Sequence, residues 1–456
     1  MRPIDRRSVL KAMAGMGAMG VAGSTLGRAG NSLALAGSAR ALLAPGSRPF
    51  PTLPAGTDTL PQIRHIVALM MENHTYDSYF GTLAKNATSA PTDGLPDGLT
   101  FDASGRATNF CPNANGKPVL VTPATTTCQV GYSVGNGWDS GHQSWDQGKM
   151  DGFVVAQGDG PMTYWTKDLL PFTNALGTTF PTCARYYSSV MAQTYPNRRF
   201  FTAGTALGIV GDPLPGPSDP PPPNGTIFDT LSQHGVPWKD YFIDAPTAAL
   251  WPYVLEKYPE HMVPVADFFA DCAAGTLPGY SIIDPEVFAL ISDESPDDIS
   301  SGQTYIEQIV NAVMRGPAWK HTMLIVTYDE GGGYYDHIPP ARVPAPDGVL
   351  PEVTDFYGDY YTYTGFRVPT VVVSAWAKPG YVSHVVCDHT SILKTVEIKW
   401  NLPALTFRDA NANTLLDCLD LSAANPPFLN PPTLAEAQLP TSTAMCVAED
   451  PKSYVP

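Results

Sequence analysis

Ile63-Arg64-His65-Ile66-Val67-Ala68-Leu69-Met70-Met71 runs directly into Glu72-Asn73-His74. A nearly continuous apolar run of this length suits a strand buried on both faces of a parallel sheet, because neither face meets water. Comparable runs occupy residues 323–328 and 369–374, with weaker ones at 236–243 and 280–283. Helical patterns lie between them, notably at 305–315 and 391–400. Strands alternating with helices predict an α/β domain, its mostly parallel central sheet flanked by helices. Long irregular insertions interrupt the alternation at 84–135, 220–223 and 356–366. In such sheets the working residues follow the carboxyl ends of the strands, so what comes after each apolar run matters most.

The chain has 456 residues, 43% apolar and 15% charged, with 46 Pro and 40 Gly. That excludes a disordered chain and a coiled coil and leaves a loop-rich globular protein with a large core. Lys and Arg number 27 against 43 Asp and Glu, a formal charge of −16, which argues against nucleic acid and anionic membrane surfaces as partners. Residues 1–36 carry Arg6-Arg7-Ser8-Val9-Leu10-Lys11, a weakly apolar Gly/Ala/Met stretch and Ala34-Leu35-Ala36. This resembles a twin-arginine export signal, which implies a periplasmic or secreted protein and the Tat translocase as a partner during export. Its removal takes the charge to about −20. No run reaches the ~20 apolar residues needed to span a bilayer, so no transmembrane segment is expected. A Pro-rich leader at 37–61 precedes one expected domain at 62–456, which ends in a Pro-rich tail. Seven cysteines leave at least one without an intrachain partner, and Cys111 with Cys128, in one Pro/Thr-rich loop, is the expected disulfide.

The polar residues after the runs form clusters. Glu72-Asn73-His74 follows the first run, and Asp329-Glu330-Gly331-Gly332-Gly333-Tyr334-Tyr335-Asp336-His337 follows the run at 323–328. Adjacent carboxylates at one strand end repel each other and call for a cation or a raised pKa. Either cluster alone fits a helix cap and a solvated turn; two of them on one sheet point to a site. Thr194-Tyr195-Pro196-Asn197-Arg198 reads as a helix start with Thr194 as N-cap and Pro196 in the first turn, an end that attracts phosphate. His142 lies in a polar, Gly-punctuated loop, and Asp388-His389 stands at the entrance of the 391–400 helix. Hydroxyl, Arg, imidazoles and carboxylates together are what nucleophilic attack on a phosphate ester requires.

Glu72 to Gly81, the loop from His142 to Phe153, Pro196-Asn197-Arg198, Tyr328 to His337, Gly365 to Pro369 and Asp388 to Ser391 together resemble the ordered motifs of the bacterial phosphoesterase family. That family holds exported phospholipases C and acid phosphatases of the alkaline phosphatase superfamily. The resemblance implies one divalent metal ion held by Glu72, Asn73, Asp329 and Glu330, and Thr194 as nucleophile. Thr194-x-Pro196-x-Arg198 is also similar to the Cys-x-Pro-x-Arg signature of sulfatases. The resemblance further implies His142, His337 and His389 at the phosphate or leaving oxygen, with Asn197, Arg198, Asp336 and Asp388 as substrate-binding residues. His74 stands where the family has Arg, and Gly331 where relatives are often polar. The expected substrate is a small phosphate ester or phospholipid head group, with a phospholipase C-like diesterase ahead of an acid phosphatase. A non-catalytic exported binding protein is the alternative of another class. Tyr132, Trp138, Trp145, Tyr164 and Trp165 are candidates for a choline cage or for plain packing.

Overall fold

Seven residues of the leading run form strand β1, His65–Met71, and from Ile66 to Met71 every residue is fully buried. Burial on both faces explains why the run has no polar alternation, and each large side chain contributes roughly 1.5–3 kcal/mol by leaving water. The structure is a computed structural model describing residues 41–83, 92–129, 135–285, 291–295 and 298–438. The Arg6-Arg7 pair, Ala34-Leu35-Ala36 and Tyr132 lie outside the described residues.

The remaining strands of the main sheet are β2 (Thr182–Cys183), β3 (Trp238–Phe242), β4 (Met262–Pro264), β5 (Tyr280–Ile283), β6 (Thr322–Tyr328), β7 (Val371–Ser374) and β8 (Val382–Ser383). Their order in this eight-stranded sheet is β8-β2-β7-β6-β1-β5-β3-β4. β1 pairs in parallel with β6 and β5, β3 with β5 and β4, and β2 with β8. The fold is therefore α/β with a mostly parallel sheet, as the runs predict.

β7 runs antiparallel to β6. Its carboxyl end accordingly points away from the edge where β1 and β6 finish, and the residues just before it, Phe366-Arg367, reach that edge instead. The short strands β2, β4 and β8 escape a reading by apolar runs because two or three residues carry no period.

Four helices matter below: α1 (Trp138–Trp145), α2 (Thr194–Ala203), α3 (Ile299–Arg315) and α4 (His389–Trp400). α3 starts earlier than its apolar pattern because the Asp298 side chain accepts the Ser300 N–H at 3.0 Å and caps it. The main hydrophobic core includes the strands of the sheet, with separate clusters around Trp145, Phe153 and Phe366 and around Trp138, Phe200 and Tyr361. Among the described residues, no helix is long and apolar enough to cross a membrane.

The expected Cys111–Cys128 disulfide does not form. Cys111 is a buried free thiol in the Phe110–Pro112 strand, with its Sγ 3.4 Å from the Met150 carbonyl. Cys128 is disulfide-bonded elsewhere, and its backbone bridges to Asp298 at the start of α3.

Candidate active site

Parallel pairing of β1 with β6 sets Met71 opposite Tyr328, so Glu72-Asn73 and Asp329-Glu330 leave the sheet side by side. The ladder continues one step further: the Asp329 N–H donates to the Met71 carbonyl at 3.0 Å. Asn73 takes a left-handed backbone, φ 67°, and its N–H donates to Asp329 Oδ1 at 3.3 Å. The Glu330 N–H donates to the same oxygen at 2.7 Å. Glu330 Oε1 accepts from Asn136 Nδ2 at 2.9 Å, and Oε2 accepts the Gly332 N–H at 2.7 Å. Gly332 must be glycine here, since a Cβ would lie 2.0 Å from the Asn73 carbonyl oxygen. Asn73 Oδ1 is buried with no hydrogen-bond partner among the described residues.

Arg198 enters between these strand ends from α2. Its Nε donates to Asp329 Oδ2 at 3.1 Å, and Nη2 donates to Glu72 Oε1 at 3.1 Å and the Met70 carbonyl at 3.3 Å. Nη1 donates to Asp284 Oδ1 at 3.0 Å and Thr247 Oγ1 at 3.2 Å. Every guanidinium nitrogen thus has a protein partner. Asp284 directly follows β5 and was missed, although the rule that singled out Glu72 and Asp329 applies to it equally.

One guanidinium faces Glu72, Asp329 and Asp284, with Glu330 adjacent, so buried negative charge exceeds positive. Burial and the Asp329 charge hold the Glu72 carboxyl well above the usual range against the pull of Arg198. Burial and Asp329 do the same to Glu330. Burial also raises Asp329, although Arg198 opposes it. Oxygen donors that lack positive charge, together with an orphaned amide oxygen, fit a hard divalent cation.

Thr194 lines the adjoining cleft with Glu72, Tyr195, Arg198, Thr247 and Asp284. It is the first helical residue of α2, with Gln193 as N-cap, so the helix frame sits one residue earlier than expected. Pro196 offers no N–H, and the Tyr195 N–H donates to Asp212 Oδ1 at 2.7 Å. The helix end expected to hold phosphate therefore already holds a carboxylate of the protein itself. Asn197 is also structural: Nδ2 donates to the carbonyls of Val190, Ala192 and Gln193, and Oδ1 accepts the Val190 N–H at 3.1 Å.

The three expected imidazoles differ in what they have left to offer. His142 Nδ1 lies 2.7 Å from the Trp138 carbonyl and Nε2 lies 3.2 Å from Asp359 Oδ2, which uses both nitrogens inside the protein. His389 Nε2 lies 2.6 Å from the Asp329 carbonyl and Nδ1 lies 3.3 Å from the Tyr186 hydroxyl. Burial lowers His389 to about 4, and its Nε2 supports the Asp329 backbone. His337 differs: Nδ1 bonds Asp77 Oδ2 at 2.6 Å, and Nε2 has no hydrogen-bond partner among the described residues.

Asp336 and Asp388 have structural partners as well. Asp336 accepts from Arg367 Nε at 2.9 Å and from the Ile338 N–H at 2.8 Å. Asp388 caps α4 through the Thr390 N–H at 2.9 Å and accepts from Arg408 Nη1 at 3.0 Å. His74 is stacked between Tyr79 and Tyr334, with ring centroids 4.2 and 4.8 Å away, and burial lowers it to about 3. A neutral ring thus packs where the family resemblance expects a cation.

The aromatic residues do not converge on a cage. Trp165 belongs to the main core, Trp145 and Tyr164 to the second cluster and Trp138 to the third. Among the described residues, one group of three acidic or imidazole side chains has potential ligand atoms all within 4.8 Å of one another, and it is not the Glu72, Asp329 and Glu330 set but Asp77, Asp336 and His337. Arg367 donates to Asp77 Oδ1 at 2.9 Å as well as to Asp336, so positive charge is already supplied there.

The chain is 29% identical over 404 residues to non-hemolytic phospholipase C of Burkholderia pseudomallei, covering 76% of this chain and 56% of that protein. It is 28% identical over 397 residues to non-specific phospholipase C5 of Arabidopsis thaliana, covering 79% of this chain and 74% of that one. A solved Vibrio parahaemolyticus protein of the alkaline phosphatase superfamily aligns over 89% of this chain and 78% of its own, with 10% identity and a TM-score of 0.38. The chain thus spans just over half the length of the Burkholderia relative. The model of the phosphoesterase family matches residues 63–403, from the start of β1 to just beyond α4, and the chain belongs to that family.

Proposed function

We propose that this chain is an exported, metal-dependent phosphoesterase that cleaves phosphodiesters in the manner of a phospholipase C, through a phosphothreonine at Thr194. The observation that carries this reading is the excess of buried oxygen donors around the Thr194 cleft, with Asn73 Oδ1 left unpartnered. Glu72, Asn73, Asp329 and Glu330 would hold one divalent cation. When bound, such an ion neutralises phosphoryl oxygens and favours the ionised form of a nearby hydroxyl. Relatives named phospholipase C support a diester substrate, and the disulfide at Cys128 fits an oxidising compartment.

In this mechanism the Thr194 oxygen attacks phosphorus opposite the leaving alcohol. The phosphorus–alcohol bond breaks, and His337 Nε2, oriented by the Asp77 bond to Nδ1, gives its proton to the departing oxygen. Water then attacks the phosphothreonine, one of its protons returns to His337 while the hydroxyl stays on phosphorus, and Thr194 departs as the ionised oxygen that attacks in the next cycle. Arg198 holds the carboxylates of three strand ends at fixed separations and does not bind phosphate.

Turnover of p-nitrophenyl phosphorylcholine against p-nitrophenyl phosphate, with and without a chelator, tests the reading. Preferred cleavage of the choline diester, abolished by chelation, is expected. Preference for the monoester would make the chain an acid phosphatase, and no turnover of either by metal-replete protein would make it a binding protein. Thr194→Ala is expected to lower kcat by about 10³-fold or more at unchanged melting temperature. Most of the turnover surviving in that variant would remove Thr194 as nucleophile.

A further inference from the structure

Asp212 lies beyond α2 in the stretch leading to the Pro-rich segment, yet it turns back to the helix that carries Thr194. Its Oδ1 accepts the N–H of Tyr195, the residue after Thr194, at 2.7 Å. Pro196 has no N–H to offer, so this carboxylate takes up the Tyr195 N–H, a first-turn donor that would otherwise help to stabilise a bound anion. Asp212 also shares a field with the strand-end carboxylates: its charge raises both Glu72 and Glu330, and it is in turn raised by Asp329 and Glu294. Any phosphate group approaching Thr194 therefore meets a fixed negative charge that the metal ligands do not account for.

The size of that repulsion depends on the charge of the substrate. A phosphate monoester carries two negative charges above neutral pH, whereas a diester carries one. Coulomb energy scales with the product of charges, so a fixed carboxylate disfavours the monoester by twice the free energy. We propose that Asp212 is a specificity-determining residue that biases the Thr194 cleft toward phosphodiesters and against phosphomonoesters. The proposal rests on Thr194 as the nucleophile. It also accounts for a helix end that looks built for phosphate being filled by a carboxylate instead.

Burial pushes the Asp212 carboxyl up to about 7, so measurement at about pH 8 keeps it charged. Asp212→Asn removes the charge and keeps an oxygen for the Tyr195 N–H. Its kcat/KM is read in the metal-replete protein with bis(p-nitrophenyl) phosphate and with p-nitrophenyl phosphate. The diester rate is expected to rise about 3-fold and the monoester rate about 10-fold, the square of the first. Asp212→Glu restores the charge and is expected to restore the wild-type ratio. An unchanged ratio, or equal losses for both substrates in Asp212→Asn, overturns the proposal and leaves Asp212 as a helix cap. The Thr194 reading fails separately, through a Thr194→Ala variant that retains diester turnover.

Discussion

Two buried arginines organise the carboxyl edge of the sheet, one facing two carboxylates and the other three. Arg367 bridges Asp77 and Asp336, with His337 bonded to Asp77 on the far side. Burial pushes Asp77 up, but His337 and Arg367 outweigh it and hold the carboxyl below the usual range. Arg198 bridges Glu72, Asp329 and Asp284, and there the carboxylates outnumber the cation. Glu72 and Asp329 remain raised in spite of it. Burial also leaves Asp336 raised to about 6 despite Arg367, so both clusters keep a raised carboxyl and the Arg198 cluster keeps more of them. The first is suited to hold His337 still, and the second to take up an ion.

The comparison breaks most readily at Arg367. In Arg367→Met, Asp77 and Asp336 lose their shared partner while remaining buried, and breaking a buried ion pair in this way costs about 3–5 kcal/mol. Urea unfolding should show that loss with or without divalent metal. A loss below about 1 kcal/mol would mean that the Arg367 cluster is not the structural unit described here.

The two clusters were unequally legible in the sequence. The Arg198 side shows itself through apolar runs ending in acids, and Glu72 and Asp329 follow from the rule that parallel strands deliver site residues at their carboxyl ends. Asp284 obeys the same rule after a weaker run. What the chain alone conceals is partnership across long separations. Arg198 meets strand ends from three parts of the chain, so its motif suggested phosphate while its contacts are carboxylates. Arg367 reaches the site edge only because β7 is antiparallel, a direction that an apolar run does not encode. The substrate-binding roles that the resemblance implies for Asp388 and Asn197 rest on residue types that a helix cap and a loop clamp also use. Asp212 sits in a Pro-rich stretch without period, and only the folded chain brings it to Tyr195.

Metal sharpens the comparison from the other side. A cation that binds only the folded state stabilises it by about 2.7 kcal/mol at 100 times its dissociation constant. Titrating a divalent ion into chelator-stripped protein should raise the melting temperature accordingly. Glu72→Gln should abolish that rise while leaving the metal-free protein as stable as wild type or slightly more so, because it removes an uncompensated buried charge and keeps an oxygen for Arg198 Nη2. Metal-free Glu72→Gln losing several kcal/mol would make the Arg198 cluster as dependent on its ion pairs as the Arg367 one.

The smallest effect is also the one with opposite signs in stability and function. Asn73 holds a left-handed backbone at φ 67° and buries an amide oxygen with no partner among the described residues. Glycine adopts that backbone without steric cost, and an unsatisfied buried acceptor costs about 1–3 kcal/mol. Lost packing around the side chain offsets part of the gain, so Asn73→Gly should stabilise the metal-free protein by about 1 kcal/mol in urea unfolding. The same substitution removes a proposed ligand, so the melting-temperature rise on adding divalent metal should shrink, and kcat with it. A residue kept for packing alone would lose stability and leave the metal response intact. Strain and an orphaned acceptor next to buried like charges make sense at Asn73 only if an ion repays both, and the Arg367 cluster has neither an orphaned acceptor nor a left-handed residue of this kind.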